Sequence, residues 1–172
     1  MSQSPVSDAL RIGKVIEVDL ASALVRVAIG EIESDWIDFS TPRAGKTKVW
    51  LPPSDGEQVE VISPDGDLEG AHIGRSLYSD ENGAPSDKPG GLIRFEDGSE
   101  VFYDPETHTL EAVLCAGGKA IITAPAGLTI NGDVTVNGKI DASGDVKAGN
   151  ISLQQHKHSG VQAGGTQSGV PV

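Results

Sequence analysis

The sequence predicts an all-β protein built from two unlike parts: a small N-terminal barrel, then a repetitive stretch wound together with further copies of the same chain. Three observations predict it. Aromatic residues make up only 4% of the 172 residues, with one Met and one Cys, so the core must come from Val, Ile, Leu and Ala. Such side chains suit thin strands stacked over many short turns better than one thick globular core. Gly 22 and Pro 10 supply turns throughout. Finally, residues 131–148 repeat every six positions.

The barrel elements follow in order. Residues 12–18 and 23–29 are dense in β-branched side chains and flank a turn at 19–22. A short aromatic strand is expected at 35–39, then a polar loop at 41–48 containing Pro42 and Gly45. Residues 49–51 lead into the turn cluster at 52–56. Alternation returns at 57–62, a turn falls at 63–67, and a last strand is expected at 71–78. Short strands at this density, with no helical periodicity, predict a small barrel of the oligonucleotide/oligosaccharide-binding (OB) type over residues 1–78. Residues 79–90 (SDENGAPSDKPG) have almost no apolar side chain and two prolines, and read as a linker.

Beyond the linker, strands are expected at 92–95, 100–103, 109–114, 119–123 and 128–130. The repeat then runs as NGDVTV (131–136), NGKIDA (137–142) and SGDVKA (143–148). Its fourth and sixth positions are apolar: Val134 and Val136, Ile140 and Ala142, Val146 and Ala148. A period of six is a sign of β-helical stacking, but so few repeats cannot enclose an interior from one chain. Identical chains wound about one axis can, with the fourth and sixth positions meeting on that axis. Residues 91–158 are therefore expected to form an intertwined trimeric β-helix needle, narrowing where the sixth position falls from Val to Ala. Residues 159–172, with four glycines and no charge, form a Gly-rich tip.

His156 and His158 stand two apart near the end of this part. In an extended strand such residues point the same way, and two imidazoles on one side can reach one metal ion. Three chains on a threefold axis supply six nitrogens, an octahedral set that favours a first-row transition metal such as iron over four-coordinate zinc. His72 lies in a strand pattern and reads as structural, His108 in a turn and reads as solvated. Cys115 follows the apolar alternation of 110–115 and reads as a small buried hydrophobe.

Charge and motifs exclude several functions. The net charge of −12 divides evenly at Tyr78, with 7 basic and 13 acidic side chains before it and 6 and 12 after it. Neither part has the basic footprint of a nucleic-acid binder. One cysteine excludes an intrachain disulfide framework. The first residues lack the charged and apolar regions of a cleaved signal, and no apolar run approaches a membrane span. There is no nucleophile elbow, zinc-protease motif or phosphate loop: Gly117-Gly118-Lys119 lacks the rest of that motif. The acidic pairs Glu96/Asp97 and Glu31/Glu33 read as solvated turn and strand faces rather than a glycosidase dyad. A carbohydrate-binding OB module with an appended trimeric stalk is the alternative, resting on Trp36, Phe39 and Trp50.

Several segments resemble one family. They are 13–19 (GKVIEVD), 25–30, Asp35-Trp36, 42–46 (PRAGK), 50–59 (WLPPSDGEQV), 63–67 (SPDGD), Asp97-Gly98, Tyr103-Asp104 and 152–160 (SLQQHKHSG). Together they resemble phage baseplate assembly protein V, the central spike of contractile-tailed phages and phage-tail-like bacteriocins. The resemblance implies a trimeric OB-like barrel attached to the tail hub and baseplate, and a three-chain β-helix. It also implies one iron ion per trimer, bound near the tip by His156 and His158 of each chain. Such a protein is a homotrimeric structural component of the virion tail, made in the host cytoplasm and driven through the bacterial outer membrane on sheath contraction. It is not an enzyme, since no lysozyme domain fits between Tyr78 and the β-helix.

Overall fold

Among the described residues, eleven strands and no long helix organise the chain. The computed structural model describes residues 8–157, 159–160 and 164–165. It divides into two compact units, residues 1–120 and residues 121–172.

The first unit opens with the barrel: β1 (Leu10–Asp19), β2 (Leu24–Ile29), β3 (Ile32–Glu33), β4 (Ile37–Phe39), β5 (Gln58–Ile62) and β6 (His72–Leu77). The sheet order is β1-β5-β6-β4-β2-β3, and an added β1–β2 pairing closes it into a barrel. All pairings are antiparallel except β4–β6, which runs parallel through Asp38↔His72 and Phe39↔Ile73. Closure hides the unpaired backbone groups that an open edge would expose.

Alternation decides what lies inside. Val15, Val25, Val27, Ile37, Val59, Val61, Ala71 and Ile73 form the core, each at most 6% exposed. Burying a valine contributes roughly 1.5 kcal/mol, so this core is made of many modest increments. It is also narrow. A Cβ on Gly13 would lie 2.9 Å from Val61 Cγ2 and 3.1 Å from the Ala28 carbonyl oxygen, so β1 crosses its neighbours closely where only glycine fits. The register of β1 on β2 slips between Val15 and Glu17, and that of β5 on β6 between Val59 and Val61. Bulges of this kind add the local twist that closes a small barrel. Ser34, 3% exposed, accepts the Val27 N–H on its hydroxyl at 2.9 Å and satisfies a buried donor where β3 ends.

Residues 49–51 join no ladder among the described residues. Val49 N–H instead donates to the Arg43 carbonyl at 3.0 Å and the Thr41 hydroxyl to the Val49 carbonyl at 2.6 Å. Pro52 and Pro53 then remove two backbone donors that a longer ladder would need. Between β6 and the next strand no regular element forms, but Lys14 pairs with Glu81 at 2.6 Å and the Asn82 amide donates to the Gly56 carbonyl at 3.1 Å.

A three-stranded antiparallel sheet follows: β7 (Gly91–Arg94), β8 (Glu100–Asp104) and β9 (Thr109–Val113). Its register sets Val101 between Ile93 and Ala112, and Tyr103 opposite Leu110. One face is thus apolar, yet Ile93, Val101, Tyr103 and Leu110 are 51%, 40%, 45% and 71% exposed.

In the second unit the only ladder among the described residues joins β10 (Lys147–Ala148) to β11 (Ile151–Ser152). Residues 119–123 and 128–130, expected as strands, join no ladder among the described residues. Bends recur at 132, 137–138 and 143–144, and a turn at 149–150, so the six-residue period of the sequence is a period of backbone direction.

Candidate functional site

The segment after β10 is built around one turn. β10 and β11 are joined through Asn150 and Gly149, whose φ of 60° suits glycine. Leu153 N–H extends the short ladder to the Val146 carbonyl at 2.9 Å. The chain then reverses. Asp145 Oδ1 accepts the Gln154 N–H at 3.2 Å, and Ser152 Oγ accepts the Gln155 N–H at 2.9 Å. The Ser152 carbonyl accepts twice from His156, from its backbone N–H at 3.0 Å and from its ring at Nδ1 at 2.9 Å.

That last bond has a chemical consequence. A carbonyl oxygen only accepts, so Nδ1 carries the proton, and in the neutral ring the lone pair is on Nε2. Metal-bound histidines are held in this way, one ring N–H on a backbone carbonyl and the other nitrogen toward the ion. His156, exposed on the chain, therefore suits an imidazole ligand. His158 lies outside the described residues. Among the described residues, no three His, Cys, Asp or Glu side chains gather into a metal-sized cluster.

The remaining candidates resolve into structural roles. His72 is half-buried in β6, opposite Asp38 and Ile62. His108 sits at φ 56° in the turn capped by Asp104, whose Oδ1 accepts Glu106 N–H at 2.8 Å. Glu33 is engaged by Arg26 at 3.1 Å, and Arg26 also holds Glu17 at 3.0 Å. Cys115 differs from expectation. It is half-buried, its thiol donates to Asp97 Oδ2 at 3.2 Å, and its N–H donates to the Ser99 hydroxyl at 3.0 Å. Apolar alternation does not reveal this, because the partner turn lies 18 residues earlier. The Asp97 carboxyl is held below its ordinary range by the Ser99 backbone N–H first and the Cys115 thiol second.

The aromatic residues do not form one platform. Phe39 and Trp50 meet with centroids 5.7 Å apart and planes tilted 54°. Phe39 also packs on the core, so the pair fastens the 41–50 loop to the barrel. Trp36 is not among the residues that line the groove beside this pair.

The chain thus combines a closed barrel of the OB type with a hexad-patterned segment that ends in an imidazole-presenting turn. Residues 11–78 match the family described as "Type VI secretion system/phage-baseplate injector OB domain", and residues 150–172 match the "GpV Apex motif". The "Spike protein" of Escherichia phage P2 is 37% identical over 123 residues, 67% of this chain and 58% of that relative, so the matched stretch spans little more than half of the relative's length. The chain belongs to the phage baseplate assembly protein V family.

Proposed function

We propose that this chain is the central spike of a contractile tail or related injection machine, a structural homotrimer rather than an enzyme. The observation that carries the reading is apolar exposure. Ile121, Ile122, Leu128, Ile130, Val134, Val136, Ile140 and Val146 are all between 44% and 75% exposed. They lie in a stretch with almost no internal pairing, and that stretch bends every six residues. A soluble monomer rarely leaves such a run uncovered. Winding three chains about one axis covers it and supplies ladder partners for 119–123 and 128–130. The apolar face of β7–β9 gains a cover by the same operation.

In this reading the barrel attaches to the tail hub and baseplate, and the needle crosses the bacterial outer membrane when the sheath contracts. The protein is made in the host cytoplasm and resides at the baseplate of the virion or phage-tail-like particle. The work of penetration comes from the sheath. The needle contributes stiffness, and strands whose edges are covered by neighbouring chains provide it. His156 and His158 of three chains bind one iron ion, which cross-links three chain ends that would otherwise fray. An OB barrel does not by itself imply nucleic-acid binding, and the −6 balance of residues 1–78 opposes it. The Phe39–Trp50 pair serves the barrel, which leaves the carbohydrate-module alternative without a built platform.

Antibody-gold labelling of intact and contracted particles tests the function. Label confined to the baseplate end, and found at the tip after contraction, is expected. Label on the head or along the sheath contradicts the proposal.

A further inference from the structure

We infer that Ser152 and Asp145 are positioning residues that fix the tautomer and direction of His156; the inference rests on the tip metal proposed above. The geometry is local. Ser152 Oγ takes the Gln155 N–H at 2.9 Å, and Asp145 Oδ1 takes the Gln154 N–H at 3.2 Å. These two bonds hold consecutive peptides of the reversal. The reversal in turn brings His156 back over residue 152, where one carbonyl receives both its backbone N–H at 3.0 Å and its Nδ1–H at 2.9 Å.

Imidazole in water favours the opposite tautomer, with the proton on Nε2. A ring that must offer Nε2 to a metal therefore either shifts its proton on binding or is held in advance in the Nδ1–H form. Here it is held in advance. The side chains responsible are two short acceptors, each on a neighbouring backbone N–H, the local pattern by which Ser and Asp shape turns. Ser152 is half-buried beneath the turn. A partner bonded directly to a ligating ring typically changes metal affinity by about 10- to 100-fold when removed; Ser152 and Asp145 act one bond further out, so the lower end of that range is expected.

The test uses the full-length protein, ferrous iron alone as the probe, and three variants: Ser152→Ala, Asp145→Ala and Ser152→Thr. The first readout is the rate of iron loss to excess chelator under exclusion of oxygen. Ser152→Ala and Asp145→Ala are expected to lose iron about 10-fold faster than wild type, and Ser152→Thr, which keeps the hydroxyl, close to the wild-type rate. The second readout is the ring-nitrogen NMR spectrum of His156 in metal-free protein. Wild type and Ser152→Thr are expected as the Nδ1–H tautomer, and Ser152→Ala as a mixture moving towards Nε2–H. If wild type holds iron through His156 but the alanine variants release it no faster, the inference fails and the metal site stands. An Nε2–H tautomer in metal-free wild type also overturns the inference. If wild type binds no iron, or His156→Ala binds as much, the proposed tip centre itself is wrong.

Discussion

Replacing Ile140 with Asp separates a lone chain from an intertwined trimer by magnitude. In the chain itself Ile140 is 69% exposed and lies in no ladder. A carboxylate there costs a solitary chain almost nothing, within about 0.5 kcal/mol as for most surface changes. In the trimer the same position meets its two copies on the axis. Burying isoleucine contributes about 1.5–3 kcal/mol, and roughly two thirds of that remains to be gained on assembly, about 1–2 kcal/mol per chain. Three chains lose about 3–6 kcal/mol together. Three carboxyl groups must then share one dry cross-section, which forces them to protonate or separate at a further cost of at least about 1 kcal/mol each at neutral pH. The total is at least about 6–9 kcal/mol per trimer, enough to open the distal segment. Limited proteolysis with mass spectrometry reads this directly. Cleavage within 121–157 and an intact barrel are expected for Ile140→Asp. Asp141→Ala serves as control, because Asp141 and its partner Lys139 are 83% and 81% exposed. If Ile140→Asp resists protease as wild type does, that side chain is not on an axis and the winding argument is wrong.

Other consequences are smaller. Ser34→Ala strands the buried Val27 N–H and should lower barrel stability by about 1–3 kcal/mol in thermal or urea denaturation, with m unchanged. Gly13→Ala forces a Cβ to 2.9 Å from Val61 and 3.1 Å from the Ala28 carbonyl, and should cost about 1–3 kcal/mol by the same assay. Arg26→Ala removes two partly exposed ion pairs with Glu17 and Glu33, and should cost under about 1 kcal/mol, less in high salt. Asp97 has its folded pKa lowered by the Ser99 N–H and the Cys115 thiol. Its stabilisation is therefore complete above the unfolded value of about 3.9 and is lost as pH falls through the lower folded value. Melting temperature followed from about pH 5 to pH 2.5 should accordingly show a shallower acid limb in Asp97→Asn.

The barrel was legible because its signals are local. Period-two alternation in 57–62 and 71–78 marks inward valines and isoleucines, and these are the buried ones. What escaped was pairing decided by geometry. β3 is two residues long and carries no alternation to read. The repeat was legible as a period of six and recurs as bends. The strands at 119–123 and 128–130 did not follow, since a ladder needs a partner strand and no described segment pairs with them. At the tip, His156 stood out by residue type and spacing. The contributions of Ser152 and Asp145 did not, because both act through backbone donors of Gln154 and Gln155 that carry no sequence signature. The Cys115–Asp97 contact escaped for a similar reason, as it joins the end of β9 to the turn before β8.

The central claim, three chains sharing one core and one metal, is tested most directly by native mass spectrometry of the intact protein at dilute concentration. The expected species is three chains carrying one iron ion, unchanged in stoichiometry on dilution. A stable single chain would contradict the account outright, and a trimer with three ions would replace the shared axial centre by three separate peripheral ones.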